Sequence, residues 1–403
     1  MLGGGLFGTI LGIRSERVGL PTFVSSAISA SYYVGFLVGS VLTLRALGRV
    51  GHIRVYGALA STLAAGMIGV GITHHASLWI AMRLVTGVCT AGLYVVAESW
   101  LNGMATNQNR GRLMAVYSVI TALFWGVGQV GVSVFDSRLA AGFGVAAIFT
   151  CLAVAPVALS ESAEAPPVEE SQHISLRELA RQVPTGVFSC LLVGIAHGGL
   201  SGMAAIYATR VGLGPAAIGL YVALPSLGGV VLAWPVSAAS DDLDRRAVGV
   251  AICVGAAGAS ALLLLGSAQR PMAMVLITLV GGLSYPLYSI SAAYTNDWIE
   301  PEHVNAAAGQ LVKLYGIGAI VGPFAAGGAM SFFGPRGFYW ELIAVHVVLA
   351  VFFTYRMVAW RSPFTKRPWD EVSLPARAFF VPATIISIGL RRVSRDSSAA
   401  KQP

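Results

Sequence analysis

Residues 87–129 read GVCTAGLYVVAESWLNGMATNQNRGRLMAVYSVITALFWGVGQ, and residues 281–323 read GGLSYPLYSISAAYTNDWIEPEHVNAAAGQLVKLYGIGAIVGP. The two stretches align over 43 residues without a gap, at a spacing of 194 positions. Identical polar residues coincide in this alignment, including Tyr94 with Tyr288 and Asn102 with Asn296. The chain therefore contains an internal duplication, in which a pair of apolar helices in its first half corresponds to a pair in its second.

The composition is that of a membrane protein. Of the 403 residues 56% are hydrophobic and 11% are charged, and the mean hydropathy is +0.73. Soluble domains carry about 25% charged residues, so a soluble globular protein is excluded. The basic residues behind the net charge of +8 mostly flank apolar stretches and form no basic stripe, which argues against a nucleic-acid partner. The four cysteines stand singly in apolar runs, so no metal site is expected.

Apolar runs bounded by charged or turn residues predict twelve membrane-spanning helices. They are expected near residues 1–13, 22–44, 53–73, 77–101, 111–134, 141–159, 184–208, 214–238, 247–267, 271–296, 304–330 and 336–358. The fold class predicted is an all-α polytopic membrane protein. Its parts are an N-terminal six-helix bundle (1–159), a cytoplasmic linker (160–183), a C-terminal six-helix bundle (184–358) and a basic cytoplasmic tail (359–403).

The first predicted span is short. Its 13 residues would rise about 20 Å as a helix, whereas the hydrocarbon core is about 30 Å thick. We expect helix 1 to be N-terminally truncated in this sequence, with the missing half-helix upstream. The alternative is a tilted or re-entrant segment.

The distribution of positive charge predicts the orientation. The connections after the even-numbered spans, together with the C-terminal tail, hold 18 Lys and Arg, against six in the opposite connections. By the positive-inside rule the first set faces the cytoplasm. Both termini are therefore expected in the cytoplasm and the chain in the cell inner membrane.

Two like halves side by side form the architecture that secondary transporters use, with the substrate held between the halves near mid-membrane. Arg83 is the first candidate for such a cavity, because an arginine inside an apolar helix costs about 2.5–3.5 kcal/mol and should face protein or water. The alternative is an arginine that reaches the membrane interface. Further candidates for the substrate and proton cavity are Tyr94, Gln129, His197, Ser284, Tyr288, Ser291 and Lys313.

Five of these positions have two interpretations each. His197 could relay protons or be a hydrogen-bonded core histidine, and Lys313 could bind an anionic group or extend to the interface. The stripe that includes Ser284, Tyr288 and Ser291 suits either a wet cavity or hydrogen bonds between helices.

Glu98 lies on the same face of the fourth predicted helix as Arg83, about 22 Å away along the axis. The two residues cannot pair and should serve opposite ends of the protein. We expect Glu98 to form a cytoplasmic latch with Arg110 or Arg112, at the start of the next helix. The alternative is that Glu98 carries a proton.

The stretches WIAMRLVTGVCTAG (79–92), GLYVVAESWLN (92–102) and RGRLMAVY (110–117) together resemble motifs of the major facilitator superfamily (MFS), and more closely of its YcaD-like branch of bacterial permeases. WIAMRLVTGVCTAG (79–92) is similar to the superfamily's span-4 motif, RxxxG followed by small residues, in which the arginine is implicated in proton coupling. Arg83 stands at that position. GLYVVAESWLN and RGRLMAVY are similar to the YcaD-like pattern, and the resemblance runs from helix 1 to helix 12.

The same resemblance extends to the cytoplasmic gate. PVSAASDDLDRR (235–246) is similar to the gating motif between spans 8 and 9, with Asp241 at its acidic position and Arg245 and Arg246 at its basic end. LRALGRVGHIR (44–54) is its counterpart between spans 2 and 3. It keeps Arg54 but has Gly48 where the acid usually stands.

The sequence contains no phosphate loop, dinucleotide fingerprint or nucleophile elbow, so neither a cofactor nor an enzyme is expected. Without a nucleotide site, a coupled ion is the simplest driver, since one charge crossing 100 mV yields about 2.3 kcal/mol. The prediction is a monomeric, proton-coupled secondary transporter that moves a small organic solute across the inner membrane, with efflux favoured over uptake. Its expected partners are the solute, protons and the lipid bilayer. The alternative is a transport-inactive membrane receptor or scaffold with the same fold.

Overall fold

The computed structural model describes residues 1–105, 109–135, 139–159, 174–266 and 271–359. These residues form α-helices joined by short connections and two 3-10 turns, with no strand in the ranges just given. The helices are α1 (Leu2–Arg17), α2 (Thr22–Val50), α3 (His52–Ile72), α4 (Ala76–Met104), α5 (Arg110–Val130), α6 (Leu139–Leu152), α7 (Val154–Ala158), α8 (Leu176–Gln182), α9 (Pro184–Arg210), α10 (Pro215–Asp242), α11 (Arg245–Leu265), α12 (Pro271–Ser284), α13 (Pro286–Trp298), α14 (Val304–Phe333) and α15 (Gly337–Ala359).

Eleven stretches of the described chain are long and apolar enough to cross a membrane. They correspond to predicted spans 2 to 12, and α1, with 16 residues, corresponds to span 1. The tenth span is a single stretch in sequence but two helices in the structure, because Pro286 separates α12 from α13. Residues 160–173 of the predicted linker and residues 360–403 of the predicted tail lie outside the described ranges.

The duplication seen in the sequence is present in the helix contacts. Gly87 of α4 lies so close to α2 that an added Cβ would collide with the backbone carbonyl of Tyr32. Its repeat partner Gly281 of α12 meets Pro225 of α10 in the same way. Equivalent pairs of contacts recur at a spacing of 193 or 194 positions: Gly35 on Leu84 and Gly228 on Thr278, and Gly5 on Trp125 and Gly198 on Ala319. The pairs α2–α4 and α1–α5 are thus packed like α10–α12 and α9–α14, through small residues that let helix backbones approach closely.

The helices before residue 159 meet those after residue 184 at one end of the molecule. At that end Arg210 donates from Nε and Nη2 to the two carboxylate oxygens of Glu16, at 2.8 and 2.7 Å. Deeper in, the Ser29 hydroxyl donates to the Gly202 carbonyl at 2.9 Å. Further contacts between the two sets of helices extend from this end to the middle of the molecule: Gly12 with Ala205, Ser26 with Gly327, Phe23 with Phe324, and Leu37 with Gly316. We call this the sealed end.

Candidate functional site

A cavity of about 200 Å³ lies between the two sets of helices. Residues of α1 to α5 form one wall, and residues of α9, α10 and α14 together with Tyr285 form the other. On α4 the lining residues are Arg83, Thr86, Thr90 and Tyr94, a spacing that keeps them on one helix face. The cavity thus lies between the helices before residue 159 and those after residue 184.

Arg83 projects into this cavity between aromatic rings. Its guanidinium carbon lies 4.4 Å from the ring centre of Tyr32 and 5.3 Å from that of Phe7. Its Nε is buried and, within the described chain, has neither a hydrogen-bond partner nor a carboxylate that forms an ion pair with the guanidinium. Cation–π contacts contribute about 0.5–2 kcal/mol each, less than the several kcal/mol that desolvating an ion costs. The two rings therefore do not replace a counter-ion.

His197 lines the opposite wall. Its Nδ1 lies 3.0 Å from the Tyr315 hydroxyl, and its ring packs 4.5 Å from that of Tyr285. The Tyr285 hydroxyl lies 3.1 Å from that of Ser201, which also lines the cavity. His197 is therefore hydrogen-bonded and also borders the chamber, and its role as a proton relay stays a prediction.

Tyr94 and Gln129 also line the cavity, as expected. Tyr94 packs against Phe36, with ring centres 6.1 Å apart. Gln129 is 8% exposed, and its amide oxygen has no hydrogen-bond partner within the described ranges. Of the eight predicted cavity residues, four thus border the chamber.

The serines of span 10 lie elsewhere, which corrects their prediction as cavity residues. The Ser284 hydroxyl lies 2.9 Å from His346 Nε2 on α15, and that of Ser291 donates to the Leu287 carbonyl of its own helix at 2.8 Å. Tyr288 is buried against Tyr315, with ring centres 5.2 Å apart. Ser284 thus matches the interhelical interpretation and Tyr288 packs on a neighbouring helix, whereas the Ser291 hydroxyl bonds within its own helix.

Lys313 is also outside the cavity lining. Its side chain is exposed, and it shares a helix face with the exposed Ile317 and Val321. The prediction that it lines the chamber is corrected, because α14 turns its Tyr315 face inward and its Lys313 face outward. An outward lysine in an apolar helix extends its ammonium toward the interface.

The end opposite the sealed end carries a charge cluster in the second half of the chain. Arg245 pairs with Asp241 at 3.1 Å and with Asp297 of α13 at 2.6 Å, and it is only 5% exposed. Arg246 pairs with Asp244 at 2.8 Å and donates to the Arg356 carbonyl of α15. The predicted gate residues Asp241, Arg245 and Arg246 thus tie the α10–α11 connection to two other helices of the same half.

The corresponding end of the first half is not paired in this way. Glu98 is fully buried, and neither of its carboxylate oxygens has a hydrogen-bond partner among the described residues. Arg112 is exposed and does not pair with Glu98; the side chain of Arg110 lies outside the described residues. Arg54 is exposed as well, and His52, two residues earlier, lies 3.0 Å from the Ser99 hydroxyl.

Sequence reasoning missed two acidic residues. Asp297 forms the second ion pair of Arg245. Glu341 of α15 is 5% exposed, and neither of its carboxylate oxygens has a hydrogen-bond partner in the described structure. Glu341 lies against α9, where a Cβ on Gly199 would come within 2.8 Å of its carboxylate. A single glutamate in the apolar run FYWELIAVHVV was the available signal, because ionisable groups inside membrane helices mark functional sites.

Comparison with known proteins agrees with this architecture. A sequence profile described as Major Facilitator Superfamily matches residues 1–269 and 186–397. The uncharacterised MFS-type transporter YcaD of Escherichia coli O139:H28 (strain E24377A / ETEC) is 30% identical over 309 residues, which cover 75% of this chain and 79% of that protein. The YcaD of Shigella sonnei (strain Ss046) matches to the same extent.

Two solved structures share the fold. The nucleoside transporter NupG superposes with a TM-score of 0.73 at 13% identity, covering 89% of this chain and 96% of that one. The human organic anion transporter MFSD10 (TETRAN) gives 0.55 at 13%, covering 87% and 97%. Because members of the matched family are transporters, the chain is not an enzyme. The chain belongs to the major facilitator superfamily and is similar to its YcaD-type transporters.

Proposed function

We propose that this protein is a proton-coupled secondary transporter that exports a small organic solute by alternating access. The observation that carries the proposal is the chamber between two duplicated sets of helices, sealed at one end by inter-half contacts. The bundles 1–159 and 184–358 act as the rigid units, joined by the linker 160–183. One chain encloses the chamber, which supports a functional monomer. Export as the direction rests on its frequency in the superfamily.

The orientation that we propose places both termini in the cytoplasm and the chain in the inner membrane. The excess of Lys and Arg in one set of connections supports it. With this orientation the sealed end, which carries Glu16 and Arg210, faces outward. The described conformation is then the inward-facing one, and the charge cluster around Arg245 lies at the cytoplasmic end.

Proton coupling is supported by the buried carboxyl groups of Glu98 and Glu341. Neither carboxyl group has a hydrogen-bond partner among the described residues. An unpaired carboxylate removed from water costs several kcal/mol, which favours the neutral, protonated group at such a site. A movement of the bundles that admits water or a cation to either residue favours the charged form and releases the proton. Arg83, in the cavity, is the residue through which we expect solute binding to influence these sites.

A disulfide across the sealed end tests alternating access. The Cβ of Ser29 lies 3.2 Å from a Cβ added to Gly202, close to the separation of about 3.8 Å in disulfides. We expect Ser29→Cys with Gly202→Cys, oxidised in vesicles, to abolish counterflow of a metabolite pool, and reduction to restore it. The background is Cys151→Ser, because Cys151 is exposed whereas the other three cysteines are buried.

The single-cysteine variants are the matched controls and should transport before and after oxidation. Full counterflow by the cross-linked protein would contradict alternating access. A folded, inserted protein that transports no member of the pool in either state would favour the receptor or scaffold instead.

A further inference from the structure

We infer that the transported solute is an aromatic organic acid, bound as its anion by Arg83, and that organic cations of the same shape are rejected. The inference rests on the proposed transport function, since it names the substrate class of the same cavity. It follows from the charges and the rings that line the chamber.

The charge of the lining has one sign. Arg83 is the single Lys, Arg, Asp or Glu side chain among the described lining residues. Its guanidinium forms no ion pair within the described chain, and its contacts are with the faces of Tyr32 and Phe7. The guanidinium donates no hydrogen bond within the described chain, so its N–H groups remain for a ligand. A carboxylate matches the fork of these N–H groups with two parallel hydrogen bonds.

The remaining lining is suited to a flat ring. Aromatic side chains reach the chamber from both walls, and between them lie aliphatic and small residues. The lining rings are Phe7, Tyr32, Tyr33, Tyr94, Trp125, Tyr285 and Tyr315. Aromatic pairs gain energy from offset or edge-to-face packing beyond the area that they bury. An aromatic acid therefore matches both parts of the site, its ring against the walls and its carboxylate on Arg83.

Aromatic cavities also attract cations, through the negative faces of the rings. Here the faces of Tyr32 and Phe7 are taken up by the Arg83 guanidinium. No carboxylate of the described lining offsets the charge of a second cation. An organic cation in this chamber meets a like charge in a site of low polarity, which favours its exclusion.

Trp125 supplies a reporter for the test, because it lines the chamber against Gly4 and Gly5. The probes are 3-phenylpropanoate, 3-phenylpropanamide and 3-phenylpropylamine, which share a ring and a chain and differ in charge. Quenching of tryptophan fluorescence in purified protein measures their binding. The Trp125→Phe variant identifies the part of the signal that comes from the chamber.

We expect the acid to bind at least tenfold more tightly than the amide, and the amine to bind least. Arg83→Gln should remove this preference and lower the affinity for the acid to the affinity for the amide. Arg83→Lys should retain part of it, because a lysine keeps the charge but not the fork. The matched control is Lys313→Gln, which removes one positive charge outside the chamber and should leave all three affinities unchanged. 3-Cyclohexylpropanoate tests the ring and should bind more weakly than the aromatic acid.

Equal binding of acid, amide and amine would overturn the substrate class, as would an acid preference that survives Arg83→Gln. Either result leaves the proposed transport untouched, since the disulfide experiment at Ser29 and Gly202 does not depend on the chemistry of the solute. Loss of acid binding in Arg83→Gln supports the inference when the variant protein keeps the thermal unfolding midpoint of the wild type. The Arg83→Lys variant serves the same comparison if the glutamine variant does not fold.

Discussion

At the scale of single residues, three ionisable side chains stand out because the described structure gives them no partner of opposite charge. Arg83 borders the chamber, whereas Glu98 and Glu341 are buried within the helices. A buried charge without a partner destabilises a membrane protein, so such residues persist where a function requires them. Arg83 is part of the cavity lining, whereas Glu98 and Glu341 lie outside that lining.

Glu341→Gln should uncouple transport from the proton gradient without unfolding the protein. Glutamine has the shape of a protonated glutamate but cannot release a proton, so the variant should still exchange solute in counterflow. Net transport driven by a pH gradient should fall at least tenfold. Glu300→Gln is the control, because the side chain of Glu300 is 74% exposed. An unchanged response to the pH gradient in Glu341→Gln would show that this carboxyl does not carry the coupling proton.

At the scale of helices, glycine decides where two helices touch. Gly87 of α4 and Gly281 of α12 occupy repeat-related positions, and each lies against the backbone of a neighbouring helix. The sequence alignment identified both glycines, but a glycine can occur in an apolar helix for several different reasons. The structure supplies the reason here, since no Cβ fits at either contact without moving a helix.

Substituting glycines should therefore have opposite effects at two kinds of position. Gly87→Ala should destabilise the protein by about 1–3 kcal/mol, because an added methyl forces α2 and α4 apart. Gly258→Ala in α11 should be neutral or stabilising by up to about 1 kcal/mol, because nothing lies within 4 Å of the added Cβ and alanine favours helix. Thermal unfolding in detergent measures both. Equal midpoints for the two variants would refute the close-packing argument.

At the scale of the whole molecule, the sealed end sets the balance between the two access states. The Glu16–Arg210 pair joins α1 to α9 across the two sets of helices, and both side chains are about one fifth exposed. An ion pair so placed contributes about 1 kcal/mol or less once solvent screening is included. That is enough to change the ratio of two states about fivefold, but not to lock one of them.

Arg210→Gln should shift the population toward the state that is open at this end. Labelling of Ser29→Cys, in the Cys151→Ser background, by a membrane-impermeant thiol reagent added at this end reports the opening and should rise by up to about fivefold. The exchanged pair Glu16→Arg with Arg210→Glu should restore the wild-type accessibility, because it restores the attraction. Accessibility that stays low in Arg210→Gln would show that the apolar contacts alone hold this end closed.

The sequence by itself was enough to predict where the long apolar helices lie, the duplication, the resemblance to the family and Arg83 as the first cavity candidate. Those features follow from local hydropathy, from repeat spacing and from the cost of a charge in lipid, none of which depends on which helices are neighbours. Only the tertiary structure decided that Ser284, Tyr288 and Ser291 pack between helices, that Lys313 faces outward, and that Glu98 has no hydrogen-bond partner among the described residues. Helical periodicity shows that a face is polar but not what lies opposite, and Glu16 meets Arg210 only when distant helices are brought together.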